Sequence, residues 1–169
     1  MDMIEAIMTR RSVRKYLDRE IPEELLHTLL AAAMNAPSAG NQQPWDFIII
    51  RDKAVLAGLH KINPHAAMAG HAPLAILVCA DLSRETHPGY WVIDCSAAVQ
   101  NMLLAAHSSG LGAVWTGVHP KQDRIKGLKE LFKLPEHIMP HSLVVLGWPA
   151  ETPKPVNRFN DRLVHLGGW

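Results

Sequence analysis

Four short stretches of this 169-residue chain carry side chains whose types and spacing suit ligand chemistry. Arg10-Arg11-Ser12-Val13-Arg14 sets three guanidiniums and a hydroxyl within five residues. Because arginine donates hydrogen bonds in a planar fork, such a cluster suits a phosphate. The same residues also read as a solvated basic turn. Pro37-Ser38-Ala39-Gly40-Asn41-Gln42-Gln43-Pro44-Trp45 holds several side-chain amides between two prolines. It can aim donors and acceptors at the edge of a polar heteroaromatic ring, or serve as an ordinary helix-to-strand turn. In Gly110-Leu-Gly-Ala-Val-Trp-Thr-Gly117 the Gly-x-Gly precedes a strand and no third glycine opens a helix, so this is no dinucleotide fingerprint. Thr116 and Gly117 nonetheless close a buried strand, where open sheets place ligand-facing backbone. Lys154 and Arg158 add charge in the C-terminal tail.

Other signals point to packing. The nearest histidine pairs are His60/His65, His65/His71 and His137/His141. Pro140 interrupts any helix at the last pair, and no acidic or thiol partners complete a ligand set, so no metal is expected. Cys95, among apolar neighbours, reads as core and not as nucleophile. Neither a Gly-x-Ser-x-Gly nor a Walker A pattern occurs, leaving hydrolase and NTPase readings without support. Lys+Arg 17 against Asp+Glu 16 gives a formal charge of +1, too balanced for a global field that grips nucleic acid or anionic membrane. Apolar runs fall short of the roughly 20 residues that span a bilayer. Cys79 and Cys95 show no Cys-x-x-Cys pairing and no signal peptide precedes them, as expected of a reduced, cytoplasmic protein.

The elements that must position these stretches follow from periodicity. Asp2 to Thr9 reads as a short helix with Asp2 as N-cap and Glu5 three residues on. Pro22 opens a helix whose apolar residues, Leu25 to Met34, recur at helical spacing up to Asn35. Trp45 to Arg51 reads as a strand buried on both faces, Asp52 to Ile62 as an amphipathic helix, and Leu74 to Ala80 as a second buried strand. Tyr90 to Ser109, apolar all round, is expected to be a central buried helix that stops at Gly110. Leu111 to Val118 and His141 to Leu146 supply two further strands, with a polar helix from Lys121 to Leu134 between them. The composition, 48% hydrophobic and 20% charged, suits a globular core. The expectation is one domain over residues 1–169, α/β or α+β, a single sheet wrapped by helices, with 150–169 an extended tail.

Taken in order, these stretches resemble the nitroreductase family of flavin enzymes. The resemblance rests on Arg10-Arg11-Ser12-x-Arg14, on Ala36-Pro37-Ser38-x-x-Asn41-x-Gln43-Pro44-Trp45 and on the Asp94-to-Ala106 helix leading into Gly110–Gly117. The C-terminal Arg158 completes it, so it runs from Ile4 to about Arg158. It implies a homodimeric α+β fold with FMN at the subunit interface and the long helix packed against its twin. By that resemblance Arg10 and Ser12 take the phosphate, with Arg158 and Lys154 arriving from the tail and Arg11 along the phosphate or ribityl chain. Arg14 would lie near the pyrimidine edge, where its charge favours the reduced ring. Pro37, Ser38 and Asn41 would reach the ring from the other subunit. Trp115, Thr116 and Gly117 would line it, with Thr116 and Gly117 offering backbone N–H groups.

The implied reaction is ping-pong: NADH or NADPH delivers hydride to the flavin, and a small acceptor such as a nitroaromatic or quinone removes it. No side chain need act as a general acid. The chain departs from longer members in lacking an insertion between Leu82 and Trp91, so an open pocket is expected. Its wall, Asn63-Pro64-His65-Ala66-Ala67-Met68, matches no particular subfamily. Two other classes use the same residues differently: a flavin-binding carrier or sensor with little turnover, and a nucleic-acid-binding domain built on Arg10–Lys15. Balanced charge and the lack of interleaved aromatics speak against the second.

Overall fold

The structure is a computed structural model that describes residues 1–154 and 156–169. Its regular elements are α1 (Met3–Thr9), α2 (Glu23–Met34), β1 (Trp45–Ile50), α3 (Lys53–Gly58), β2 (Leu74–Asp81), α4 (Trp91–Ser108), β3 (Gly112–Gly117), α5 (Gln122–Phe132) and β4 (Ile138–Gly147). Local chemistry sets several boundaries. The Asp2 carboxylate accepts from the Glu5 N–H at 2.8 Å and starts α1, and Asp52 does the same for Val55 at 2.9 Å in α3. Gly110, at φ 78°, follows the end of α4, a left-handed position that glycine occupies without strain.

The strands form one sheet in the order β1-β2-β4-β3, and every neighbouring pair is antiparallel. That settles the class as α+β. Along β2, Leu74, Ile76, Val78 and Ala80 face α2 and α4, packing with Leu29, Cys95, Val99 and Met102. Ala75, Leu77 and Cys79 face the opposite layer of α3, α5 and the 64–71 segment, meeting Leu56, Leu59, Ala69 and Leu128. Helices cover both faces, so the inner strands are apolar over Leu74–Ala80 of β2 and Leu143–Leu146 of β4 although the sheet is antiparallel, with His141 and Ser142 as buried polar exceptions. β1 differs from its sequence reading: it lies at the sheet edge, and Asp46 to Ile49 are only half-buried. An edge strand has a neighbour on one side alone, and its coverage is correspondingly thinner. Beyond α4's buried stripe, Ile93 is 63% exposed, an apolar side chain that this chain leaves uncovered.

The ladder between β2 and β4 carries one irregularity. Val78 pairs with Ser142 but Cys79 pairs with Pro140, so His141 sits in a bulge of β4 with no partner on β2. Pro140, which cannot donate to a ladder, is tolerated at that interruption.

Candidate active site

The chain between α1 and α2 runs along the outer edge of β3. Ser12 forms a parallel bridge with Ala113, and the Val13 N–H donates to the Ala113 carbonyl at 3.0 Å. This approach needs a glycine at position 112, because a Cβ there would lie 2.6 Å from Cγ1 of Val13. With Ala113 turned towards Val13, the alternation of an antiparallel ladder directs the backbone groups of Trp115 and Gly117 outwards as well. Those of Gly112, Val114 and Thr116 turn towards β4. The Thr116 hydroxyl also donates inwards, to the Leu143 carbonyl at 3.0 Å. Trp115 and Gly117, more than Thr116, therefore present backbone at the edge.

That edge opens on a cavity of roughly 340 Å³. Arg14, Trp115, Thr116 and Gly117 border one side, and Pro64, His65 and Met68 form the facing wall. Asn63, 2% exposed, joins wall to edge: its Oδ1 accepts from the His65 N–H at 3.1 Å, and its Nδ2 donates to Thr116 Oγ1 and to the Gly117 carbonyl, both at 3.2 Å. The Gly117 carbonyl also accepts from Arg124 Nη1 at 2.7 Å.

At the other end of the same segment Arg10, Arg11 and Arg158 gather. Burial, then the Arg158 and Arg11 guanidiniums, hold Arg10 below the ordinary arginine range. Arg11 explains how the tail is brought there. Its Nη1 donates to the carbonyls of Met8 and Arg10 at 3.0 and 2.7 Å, and its Nη2 to that of Val156 at 2.6 Å. A cation thus neutralises the C-terminal end of α1 and staples residue 156 beside it. Arg10, Arg11 and Arg158 border a cavity of about 280 Å³ with Ile7 and Phe159. Among the described residues none of Arg10, Arg11, Arg14 and Arg158 is in an ion pair. His107 stands beside this cluster. Thr9 Oγ1 donates to the Glu5 carbonyl at 2.6 Å and so accepts from His107 Nε2 at 2.8 Å. Burial, then Arg10 and Arg11, lower the His107 pKa.

Pro37, Ser38 and Asn41 lie elsewhere. Their loop enters β1, at the sheet edge opposite β3, three strand spacings or about 14 Å away. Asp94, 3% exposed at the start of α4, holds the loop by accepting from the Ala39 N–H at 2.9 Å and from Gln42 Nε2 at 2.6 Å. Gln42 Oε1 in turn accepts from the N–H groups of Thr86 and His87 at 2.8 and 3.0 Å. Gly40 (φ 53°), Asn41 (φ 55°) and Gln43 (φ 45°) are left-handed, and a Cβ at Gly40 would collide with the His87 ring. Such backbone persists only where its surroundings over-determine it. The expected site residues thus form three groups: Arg10, Arg11 and Arg158; then Arg14, Trp115, Thr116 and Gly117 beside Ser12's bridge; then the detached Pro37, Ser38 and Asn41.

Asp94, Arg124 and His107 are not among the residues the sequence assigns to a site, and Asn63 enters only as part of the expected pocket wall, without its bonds to Thr116 and Gly117. Asp94 had a signal, being the one charged residue in the largely apolar stretch 91–106. The contacts of the other three have none, since their partners are 53, 54, 7 and 98 residues distant in the chain.

The fold is that of nitroreductase-type structures. The crystal structure of a protein of Parabacteroides distasonis, provisionally named an NADH dehydrogenase/NAD(P)H nitroreductase, superposes with a TM-score of 0.95 at 42% identity, covering 99% of this chain and 98% of that one. A provisionally named nitroreductase from Desulfovibrio desulfuricans, solved in complex with FMN, superposes at 0.86 with 30% identity over 100% of this chain and 98% of its own. A Methanothermobacter thermautotrophicus protein with the same provisional name as the first is 53% identical over 169 residues, all of this chain and 88% of that protein. The profile of the nitroreductase family matches residues 7–69 and 60–148, and the chain belongs to that family.

Proposed function

We propose that this protein is an FMN-dependent oxidoreductase that takes two electrons from NADH or NADPH and passes them, by alternating half-reactions, to a small electrophilic acceptor. The carrying observation is the group of Arg10, Arg11 and Arg158, which repel one another and, among the described residues, have no carboxylate partner. A phosphate monoester brings about two negative charges and three acceptor oxygens to such a place. The donor set therefore fits FMN. From Arg10 to Arg14 the chain reaches at most about 14 Å, a span suited to a ribityl phosphate whose ring lies in the cavity beside β3.

Bound FMN supplies the hydride chemistry; the protein supplies binding, orientation and charge. Arg10, Ser12 and Arg158 hold the phosphate, with Lys154 in reach along the tail, and Arg11 holds the tail in place. Arg14 sets a positive charge at the ring's edge, and the outward N–H groups of Trp115 and Gly117 hold the ring's polar atoms. Pro64 and Met68 give an apolar wall that suits a flat donor or acceptor. Family resemblance and the names of similar proteins support this reading; the acceptor rests on the openness of the cavity alone.

Pro37, Ser38 and Asn41 can meet the same ring only from a second copy, so we include a homodimer in the proposal. The uncovered apolar side chains of Ile93, Phe159 (72% exposed) and Leu166 (95% exposed) suit a large shared interface. Light scattering should find a dimer that holds FMN; a monomer holding FMN tightly would oppose this part. Cys79 and Cys95 are free and buried, in keeping with a reducing cytoplasmic setting. No helix among the described residues is long and apolar enough to cross a membrane. The deciding test is the visible spectrum of the purified protein, followed by anaerobic NADH or NADPH. A yellow sample that bleaches and recovers with a quinone supports an enzyme. A yellow sample that never bleaches indicates a carrier, and one that cannot bind FMN refutes the proposal.

A further inference from the structure

Among the described residues, the Gly117 carbonyl is the only outward-facing acceptor of the 115–117 edge held by side chains, and it is held twice. Asn63 Nδ2 reaches it at 3.2 Å and Arg124 Nη1 at 2.7 Å. On the far side of the same peptide, the Val118 N–H donates to the His141 carbonyl at 3.2 Å, within the β4 bulge. Glycine at 117 has no side chain to resist rotation, and a Cβ there would meet nothing within 4 Å. Buried Val118 anchors one end of this peptide, while on the Gly117 side hydrogen bonds and not side-chain packing hold the carbonyl.

Asn63 does a second thing with the same amide. Its Oδ1 caps the wall segment through His65 N–H, while its other N–H reaches Thr116 Oγ1. The amide orientation follows from these partners, because the reverse would set its oxygen against the Gly117 carbonyl. One 2%-exposed side chain thus sets the separation between the wall that carries His65 and Met68 and the edge that faces them. Neither Asn63 nor Arg124 borders the cavity itself.

We infer that Asn63 and Arg124 are positioning residues for the bound flavin: they keep the Gly117 carbonyl turned out of the cavity and the wall at a fixed distance, so that N–H groups meet the ring. This inference rests on the proposed FMN-dependent function. Its mode of action is geometric. A freed carbonyl would turn an acceptor towards ring atoms that need donors, and a loosened wall would widen the space in which donor and acceptor stack.

The test uses FMN-loaded protein carrying Asn63→Asp, Arg124→Met or both. Asn63→Asp keeps the acceptor for His65 N–H but loses both donations; Arg124→Met removes the shorter bond at a half-buried position. Each single change should raise the FMN dissociation constant about two- to tenfold, the range of one net hydrogen bond. The double variant should lose more than the product of the two, since each bond backs up the other. On fully loaded protein the rate of flavin reduction at saturating NAD(P)H should fall while KM stays within twofold, and Arg124→Lys should restore most of it. Thermal unfolding of the cofactor-free proteins checks that the fold is retained. A folded double variant with the parent's dissociation constant and saturated rate overturns the assignment. If Asn63→Asp does not fold, Arg124→Met decides alone by the same two readouts. A parent that binds no FMN overturns the functional reading and this inference together; a parent that binds and turns over beside indifferent variants overturns this inference alone.

Discussion

Replacing Arg10 with alanine should move two quantities in opposite directions, and the signs come from the structure. Without cofactor, burial and then the facing Arg158 and Arg11 guanidiniums lower the Arg10 pKa, and among the described residues no carboxylate is paired with it. The group is half-buried and water screens it, so removing its repulsion should change cofactor-free stability by no more than about 1 kcal/mol, in the stabilising direction. With FMN bound, the same residue donates a charge-assisted fork to the phosphate. Its loss should cost about 1.5–3 kcal/mol, or about a ten- to hundredfold weaker FMN affinity. The affinity of the parent should also fall as salt rises. Flavin fluorescence titration gives the dissociation constant. Thermal unfolding with and without FMN gives the two stabilities, where about 1 kcal/mol corresponds to roughly 2–4 °C for a chain of this size. Lys126→Ala, at an exposed ion pair on α5, is the control and should alter neither. An Arg10→Ala protein that binds FMN as tightly as the parent would show that the arginines are an ordinary basic turn. One several degrees less stable without cofactor would mean that Arg10 is structural.

Three further outcomes rest on particular contacts. Arg14→Gln should leave FMN bound but lower its two-electron midpoint potential by roughly 20–60 mV, since one charge at close range contributes a few kcal/mol to the reduced form; an unchanged potential on loaded protein removes Arg14 from the ring's edge. His141 is buried, its Nε2 against Ser96 Oγ at 3.2 Å, and burial pushes its pKa down from 6.5 to about 4. The unfolded chain therefore takes the proton first: this contribution is complete above pH 6.5 and is lost as pH falls towards 4, by up to about 1.4 kcal/mol per unit. His141→Gln should flatten that part of the urea-unfolding profile between pH 7.5 and 5, and an equal slope in both proteins would assign it to other groups. Asp94→Ala should destabilise the fold by roughly 2–4 kcal/mol by stranding the Ala39 N–H and the Gln42 amide, with Asp94→Asn milder; denaturation midpoints that match the parent would refute its role as the loop's anchor.

The elements were legible because local rules specify them. Helical recurrence from Leu25 to Met34, the Asp2 and Asp52 caps and the apolar run at Leu74–Ala80 all act within a few residues, and the structure places α2, α1, α3 and β2 there. The four ligand-suited stretches were legible for a similar reason: arginine clusters and amide-rich loops declare their chemistry by composition. Strand direction was not. A run buried on both faces reads alike in a parallel or antiparallel sheet, and only the pairing β1-β2-β4-β3 makes the class α+β and leaves β1 half-covered at an edge. Tertiary structure alone also divides the site. It brings Arg158 to Arg10 through Arg11's bond to Val156, sets Arg14 against Trp115–Gly117, and leaves Pro37, Ser38 and Asn41 at the opposite sheet edge. Arg124 and His107 gain meaning only there, as do the bonds that tie Asn63 of the expected wall to Thr116 and Gly117. A single amide or guanidinium has no sequence signature until folding buries it beside an acceptor that water can no longer satisfy.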